Sequence, residues 1–326
     1  GAIFGGILSD KLGESKLVAL SLGLSGVSTF AIFFIPSTNG LALGLPLVAA
    51  WASLYHPTSN SFISKIFRRD MAEAMGLHGA GGNVGQVFAP SIAVLLGVAF
   101  GWRFSFLVFG LLAVLVSVYF LKIPVPKSQT VKVRGSSWRV FKIPGLLALL
   151  VYNVTIGLYF RGTELFFPVF LVRNRGLSVE FAGLAASLVL LSGVLGLLLG
   201  GKVTPRVGGK RVIVVSSIIV LFGLLFLFAI PDPLLSLLLF VLLYGVSYYA
   251  AQPASNFIAG LITPEKDRGL VYGILFFVGF GLGSISAAIA GVFADKYGLE
   301  SVFQLMLLFS ALSFVSSLSL PSKTSV

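Results

Sequence analysis

Apolar runs of about 20 residues recur along the whole chain, and each is long enough to cross a hydrocarbon layer about 30 Å thick. In lipid, every backbone N–H and C=O must be bonded within the protein, so spanning elements are helices or closed barrels. The runs are continuous and rich in Leu, Phe, Gly and Ala, which favours helices over alternating strands. Only 10% of the residues are charged and 57% are hydrophobic, whereas soluble domains carry about 25% charged residues. The sequence therefore predicts an all-α membrane protein.

We expect one helix along each apolar run, with turns rich in Pro, Gly, Ser and Asn between the runs. The chain opens with the end of a helix at 1–9, and a polar, basic stretch at 123–142 separates two groups of runs. The sequence predicts helices near 17–36, 41–64, 72–100, 103–122, 144–172, 179–201, 211–231, 234–262, 269–293 and 299–320.

The basic residues indicate the orientation of the chain. The net charge is +12, but the Lys and Arg residues lie in short connections and form no tail or stripe, so a nucleic-acid partner is not expected. Most of them fall in alternate connections, and short loops that carry positive charge translocate poorly. We therefore predict a multi-pass plasma-membrane protein with the connection at Asp10, the linker at 123–142 and the C-terminus in the cytoplasm.

The sequence contains a long internal repeat. Residues 5–16 align without gaps on 200–211, Asn60 aligns on Asn256, and Gly76 on Gly273. We therefore predict an N-terminal bundle at 1–122, a linker at 123–142 and a C-terminal bundle at 143–326. By analogy with the second copy, the first copy should begin about 50 residues before Gly1, so one helix and the start of the next are expected to be missing.

The repeated segment at 5–16 reads Gly-Gly-Ile-Leu-Ser-Asp-Lys-Leu-Gly-Glu-Ser-Lys. It resembles the cytoplasmic loop pattern Gly-x-Leu-x-Asp-Arg-x-Gly-Arg-Lys of the major facilitator superfamily, although Lys11 replaces an Arg and Glu14 departs from the basic pair. The resemblance implies two six-helix bundles related by a pseudo-twofold axis. It also implies that substrate binds near the midplane between the halves and reaches each side of the membrane in turn. The resemblance implies a cytoplasmic gate at Gly6, Asp10, Lys11 and Gly13.

Two ionisable residues, Arg161 and Glu164, fall inside a predicted span, where each costs about 2.5–3.5 kcal/mol unless it is paired or faces a cavity. At about 100° per residue they share one helix face with Asn153 and Gly157, and we expect this face to line a cavity. Arg161 could bind an anionic group of a substrate, and Glu164 could take up a proton. The alternative is a structural pair three residues apart that neutralises itself.

A second group of candidate residues occurs at equivalent positions in the two copies of the repeat. Tyr55-His56-Pro57, with the glycine-rich stretch that follows, resembles the drug-efflux branch that includes fosmidomycin-resistance-type transporters, and Asn60 shares a helix face with His56. The corresponding patch in the second copy consists of Tyr248, Tyr249, Gln252 and Asn256. Histidine can exchange protons near neutral pH, so His56 could relay protons; a purely structural hydrogen bond is the alternative.

Small residues between His78 and Pro90 allow close helix packing, with Asn83 and Gln86 on the adjoining face. This segment resembles the Gly-Pro-rich helix of the superfamily's antiporters, although Pro90 lacks the usual preceding Gly. The segment Gly279-Phe-Gly281-Leu-Gly283 follows no predicted strand, so we interpret it as a packing motif and not as a dinucleotide site.

The sequence lacks the residue patterns that several other classes of function require. There is no cysteine and no phosphate-binding Gly-x4-Gly-Lys-Ser/Thr segment, and two histidines with eleven scattered acids do not suggest a metal cluster. We therefore expect no enzyme activity, cofactor or metal. The sequence predicts a monomeric secondary transporter working by alternating access, with lipid, a small-molecule substrate and protons as partners. Proton-coupled export of small organic compounds is the first hypothesis, uptake of anions or carboxylates by Arg161 the second, and a non-transporting receptor or scaffold the third.

Overall fold

The computed structural model describes residues 1–35, 37–123 and 138–322, apart from the side chains of Asp10, Thr38 and Trp138. All regular structure in this part of the chain is helical. The α-helices are α1 (Ala2–Leu12), α2 (Glu14–Ile32), α3 (Thr38–Ala52), α4 (Tyr55–Ile66), α5 (Met71–Phe100), α6 (Phe104–Lys122), α7 (Leu146–Arg173), α8 (Val179–Val207), α9 (Gly209–Ala229), α10 (Pro233–Leu239), α11 (Val246–Ile262), α12 (Arg268–Phe276), α13 (Ile285–Tyr297) and α14 (Leu299–Ser317).

Four shorter helical segments complete the described part: 3₁₀ turns at Trp138–Lys142 and Glu265–Asp267, and π-helical segments at Phe240–Gly245 and Phe277–Leu282. The π segments join α10 to α11 and α12 to the turn before α13, so each interrupts a long helix without ending it. Counting such stretches as continuous, the described residues contain nine helices long and apolar enough to cross a membrane. The prediction of an all-α, multi-pass membrane protein is confirmed.

The predicted helix at 41–64 is two helices, α3 and α4, which are separated at Ser53 and Leu54. Pro57 has no N–H and cannot bond to the carbonyl of Ser53 one turn earlier. The backbone tightens there, with Leu54 N–H donating to Trp51 O at 3.2 Å. The single-helix prediction was therefore wrong at this point, and the proline within the predicted span explains the break.

The chain divides into two compact units. Unit 1 comprises residues 1–68, 88–140 and 263–276, and unit 2 comprises 69–87, 141–262 and 277–326, within the described ranges. Each unit therefore contains a piece of chain from the other half of the sequence. The domain boundaries predicted from the repeat, with the linker at 123–142, stay a prediction; most of that linker lies outside the described residues.

The internal repeat reappears in the backbone of the two units. Gly13 ends α1 with φ 86° and ψ 137°, and its repeat equivalent Gly208 ends α8 with φ 92° and ψ 139°. Positive φ is open to glycine at little steric cost, so both turns reverse the chain in the same way. The sequence equivalence of the two segments thus corresponds to one shared turn conformation.

Glycines in equivalent positions also bring helices together within each unit. In unit 1, a Cβ on Gly6 of α1 would lie 2.2 Å from the carbonyl oxygen of Gly269 at the start of α12. In unit 2, a Cβ on Gly76 of α5 would lie 2.4 Å from Leu197 O of α8, and one on Gly201 would lie 2.9 Å from Ala72 O. Only glycine permits backbones to approach this closely.

The core of unit 2 is rich in aromatic side chains. Tyr159, Phe167 and Phe170 of α7 pack with Tyr244 of the first π segment and Phe303 of α14, and each is almost fully buried. Aromatic pairs within this core stack, as Phe240 does on Tyr244 at 4.6 Å between ring centroids, or meet edge to face, as Tyr159 does with Tyr244 at 6.3 Å. This packing fixes α7, which carries the candidate site.

We predict that Gly6→Ala destabilises the folded protein by about 1–3 kcal/mol, the usual cost of overpacking, because the new methyl group meets backbone that cannot rotate away. Thermal unfolding of the purified protein in detergent measures the effect. Gly82→Ala is the matched control, because a Cβ on Gly82 meets nothing within 4 Å. Equal unfolding temperatures for the two variants would contradict the close packing of α1 on α12.

Candidate functional site

Arg161 and Glu164 form an ion pair in the middle of α7. Arg161 Nη1 lies 2.5 Å from Glu164 Oε2, and the two side chains are 33% and 44% exposed. The Arg161 Nε atom is buried and has no hydrogen-bond partner among the described residues. The other described Lys, Arg, Asp and Glu of unit 2 lie near helix ends or in connections. The pair is thus an isolated charge site inside an apolar helix.

Aromatic rings surround the guanidinium of Arg161. The guanidinium carbon lies 5.0 Å from the ring centroid of Phe280, in the second π segment, and 5.5 Å from that of Phe160. Phe160 in turn stacks on Tyr248 at 4.4 Å, with 4° between the ring planes. A cation held against ring faces is stabilised by the negative charge of the π system. The rings therefore fix the guanidinium while part of the side chain stays accessible.

Asn83 and Tyr249 meet beside this site. The Asn83 amide of α5 donates to Leu190 O of α8 at 3.1 Å, and its side chain also hydrogen-bonds Tyr249. Both side chains are about 95% buried or more, and Gly193 faces them both. Tyr248 meets Tyr249 edge to face at 4.8 Å, which links this cluster to the aromatic rings near Arg161. The structure thus brings together Asn83, Tyr248, Tyr249, Arg161 and Glu164.

The rest of the predicted polar face of α7 is engaged in helix packing. Asn153 donates to Leu149 O at 2.7 Å and to Ser255 Oγ at 3.3 Å. A Cβ on Gly157 would lie 2.0 Å from Gly279 O, so this position is closed by backbone. Asn153 therefore cross-links α7 to α11, and only the Arg161 end of the predicted face is open. Gln252 and Asn256 of α11 are half-buried, and Gln86 of α5 is exposed.

Tyr55, His56 and Asn60 lie in unit 1, in α4. The exposed His56 ring stacks on Phe276 at 5.4 Å with 14° between the planes, and Tyr55 meets His56 edge to face at 5.5 Å. Asn60 is buried. This group belongs to a different unit from Arg161 and Glu164.

The predicted gate residues lie around the end of α1. Gly6 packs on α12, Gly13 forms the turn, and Lys11 is exposed. The side chain of Asp10 lies outside the described part of the chain. Their role as a gate stays a prediction.

Sequence reasoning missed the polar contacts beside this turn. Glu14, at the start of α2, forms an ion pair with Lys65 near the end of α4, and Ser61 donates to the same carboxylate at 3.3 Å. Arg68 pairs with Glu265 at 2.9 Å. Their opposite charges at helix ends were visible in the sequence, but nothing local indicated which ends meet.

Arg268, at the first position of α12, was also missed. Its guanidinium is largely buried and donates to Ser64 O at 2.8 Å and to Thr263 O at 3.3 Å. Ser64 lies in the last turn of α4, where carbonyl groups lack helical partners. Arg268 therefore caps α4 and fixes α12 against it within unit 1.

The fold and these sites define a multi-pass helical membrane protein with polar and charged side chains held inside its spans, as a solute transporter requires. Among the described residues, no group of three or more His, Asp and Glu could hold a metal ion. The family model of the Major Facilitator Superfamily matches residues 1–182 and 153–325. The chain belongs to this superfamily and is a membrane transporter, not an enzyme.

Curated relatives include both exporters and uptake systems. The chain is 24% identical to an MFS-type efflux pump of Mycolicibacterium smegmatis over 69% of its length, and it spans 56% of that protein. It is 27% identical to the sialic acid transporter NanX of Escherichia coli, covering 96% of the chain and 79% of NanX. It is 22% identical to the fosmidomycin resistance protein of Escherichia coli, covering 88% and 72%.

The fold is also that of a solved transporter. The fucose:proton symporter FucP of Escherichia coli superposes with a TM-score of 0.78 at 14% identity, covering 97% of this chain and 86% of FucP. At this identity the likeness concerns the fold alone. The resemblance inferred from residues 5–16 is confirmed.

We predict that Glu14 and Lys65 are energetically coupled, because both side chains are mostly buried, at 13% and 16% exposure. In a double-mutant cycle of Glu14→Gln and Lys65→Met, the double variant should lose less in unfolding temperature than the two single variants added together. The exposed Arg68–Glu265 pair, at 69% and 46% exposure, is the control and should show little coupling. Additive effects at Glu14 and Lys65 would contradict the prediction.

We predict that Asn83→Ala destabilises the protein by about 1 kcal/mol, because the Tyr249 hydroxyl loses its partner in a buried cluster. Gln86→Ala, one turn further along α5 at an exposed position, should have almost no effect. Chemical or thermal unfolding in detergent distinguishes the two variants. An Asn83→Ala protein as stable as Gln86→Ala would show that the Asn83 hydrogen bonds do not hold α5 in unit 2.

Proposed function

We propose that the protein is a secondary active transporter that moves small organic compounds by alternating access, with the region around Arg161 and Glu164 as its substrate site. The half-exposed ion pair in the middle of α7 carries this proposal. Charged side chains inside a span face a partner or a water-filled cavity, because lipid solvates them poorly. A pair kept only for stability would be better sealed, whereas a substrate site must stay open to solutes.

The aromatic surround favours organic solutes over inorganic ions. Phe160, Phe280 and Tyr248 offer ring faces next to one cation and one carboxylate. Ligand sites commonly combine apolar and aromatic walls with a few placed polar groups. This lining supports small organic compounds as the substrates. Their export coupled to protons, with Glu164 and His56 as the proton-binding groups, is the first candidate, and the efflux pump among the relatives agrees with it.

Uptake of organic anions is the second candidate, and the contacts and exposure of Arg161 favour it. Its guanidinium makes a single ion-pair contact, through Nη1, and its side chain is one-third exposed. Guanidinium groups present planar pairs of donors that match carboxylates and phosphates. The sialic acid transporter among the relatives, which the chain matches along almost its whole length, supports this reading.

We further propose a plasma-membrane location with the Asp10 turn, the linker at 123–142 and the C-terminus in the cytoplasm. The charge distribution over the connections supports this orientation. In this arrangement the contacts of α1 and α4 with α12 close the cytoplasmic side of unit 1, and Gly6, Asp10, Lys11 and Gly13 act as the gate.

Transport into proteoliposomes tests the function. We expect an imposed pH gradient to change the initial rate of solute movement several-fold, and equal rates with and without the gradient would contradict proton coupling. Charge reversal by Arg161→Glu should abolish transport if anions are the substrates and should leave most transport of neutral compounds intact if they are not. Arg173→Glu, an exposed position at the end of α7, is the matched control.

A further inference from the structure

Four cations lie close together at the turn between α8 and α9. Lys202 and Arg206 lie near the end of α8, and Lys210 and Arg211 lie at the start of α9. Lys210 is half-buried and the other three are exposed. The sequence contains no Asp or Glu at 181–231. We call these four residues the basic turn.

The equivalent turn between α1 and α2 has the same backbone conformation but a balanced charge. Residues 5–16 contain two acids and two cations, whereas the aligned residues 200–211 contain four cations and no acid. The two acids of the first copy fall on Pro205 and Gly209 of the second. The shared turn conformation therefore does not require the excess positive charge of the basic turn, and this charge needs another explanation.

The positive charge of the basic turn is not neutralised within the described part of the chain. The ion pairs there are formed by other side chains. The backbone of Glu73 in α5 packs against Gly201 of α8, but Glu73 forms no ion pair with the basic turn among the described residues. Lys210 Nζ donates to Leu318 O at 2.7 Å, just after α14. The other three cations are available to an anionic partner.

A cavity of about 420 Å³ lies beside the basic turn. It is lined by Val207, Gly208, Lys210, Arg211 and Ser322. A Cβ on Gly208 would meet nothing within 4 Å, so the backbone at the turn is open to a ligand. Cavities of about 300–1,000 Å³ bind small organic groups. Two cations next to an apolar side chain suit a phosphate group that carries an organic substituent.

An exposed apolar face of α8 leads to the basic turn. Leu191, Leu195 and Leu199 are 50–58% exposed, and at about 100° per residue they share one helix face with Lys202 and Arg206. The helix is long and apolar enough to cross a membrane, and α5 packs on its opposite face. The order along the exposed face, apolar and then cationic, matches the acyl chain and the phosphate of an anionic phospholipid.

We propose that the basic turn binds an anionic phospholipid at the membrane surface where α8 ends. Arg206 and Arg211 hold the phosphate, because guanidinium groups present paired donors that match phosphate oxygens. The rest of the headgroup enters the cavity, and an acyl chain lies along the exposed leucines of α8. Basic pockets between membrane helices bind anionic headgroups in this way. A soluble phosphate would use the cations and the cavity but not the apolar face.

Native mass spectrometry of the purified full chain in detergent counts bound lipids and gives a Kd for the first one. The probes are dioleoyl-phosphatidylglycerol, which is anionic, and dioleoyl-phosphatidylcholine, which has the same acyl chains and no net charge. We expect the wild type to bind phosphatidylglycerol at least about tenfold more tightly than phosphatidylcholine, because each Lys or Arg near an anionic headgroup contributes about fivefold in affinity.

The internal repeat provides a matched pair of variants. Arg206→Gln with Arg211→Gln removes two exposed cations from the basic turn, and Lys11→Gln with Lys16→Gln removes the aligned, exposed cations of the first copy. The first double variant should weaken phosphatidylglycerol binding at least about tenfold, and the second should leave it unchanged. Lys202→Gln, a single exposed change, should weaken it about fivefold. Unfolding temperatures measured without added lipid show that each variant is folded.

Equal affinities of the wild type for the two lipids, or equal effects of the two double variants on phosphatidylglycerol binding, would overturn the lipid site. Inorganic phosphate and glycerol 3-phosphate, added at the concentration of the lipid, should not displace phosphatidylglycerol. Displacement by either would assign the basic turn to a soluble anion instead. None of these measurements involves transport, so their failure leaves the proposed function standing, and failure of the proposed substrate site leaves the lipid site standing.

Discussion

A cation and a carboxylate inside an apolar helix are the feature on which the proposed function of this protein depends. Arg161 and Glu164 are three residues apart on α7, so the helix itself brings them together and each reduces the cost of burying the other. Neither is sealed, and aromatic rings hold the guanidinium from two sides. The pair can therefore lie inside the membrane at a reduced energetic cost and still be reached by a solute. A transport site requires both properties.

The glycine contacts explain how two copies of one repeat build the two units. Gly6 meets the backbone at Gly269 in unit 1, and its repeat equivalent Gly201 meets the backbone at Ala72 in unit 2. Each contact joins helices that come from different halves of the sequence, so each unit includes a piece of the other half. In lipid, where helices gain little from burying apolar surface, such close approach is a main source of packing energy.

Much of this could be predicted from the sequence, because the signals are local or repeated. Span length, charge placement and the alignment of 5–16 on 200–211 predicted the class and the fold, and helical spacing predicted the Arg161–Glu164 pair. Contacts between distant segments could not be predicted in this way. Nothing local indicated that Phe280 lies against Arg161 or that Glu14 pairs with Lys65, because each depends on how helices far apart in sequence pack. The break between α3 and α4 was predictable from Pro57.

The most direct test of the proposed transport site is the water accessibility of position 164. The sequence contains no cysteine, so a thiol reagent will react only with a cysteine that is introduced. A single cysteine at Glu164 or at the adjacent, exposed apolar Leu165 can be treated with a membrane-impermeant thiol reagent in proteoliposomes. The account predicts rapid labelling of Glu164→Cys, slowed by bound substrate, and slow labelling of Leu165→Cys, which should face acyl chains. Equal and slow labelling at both positions would show that water does not reach the ion pair and would contradict its proposed role in transport.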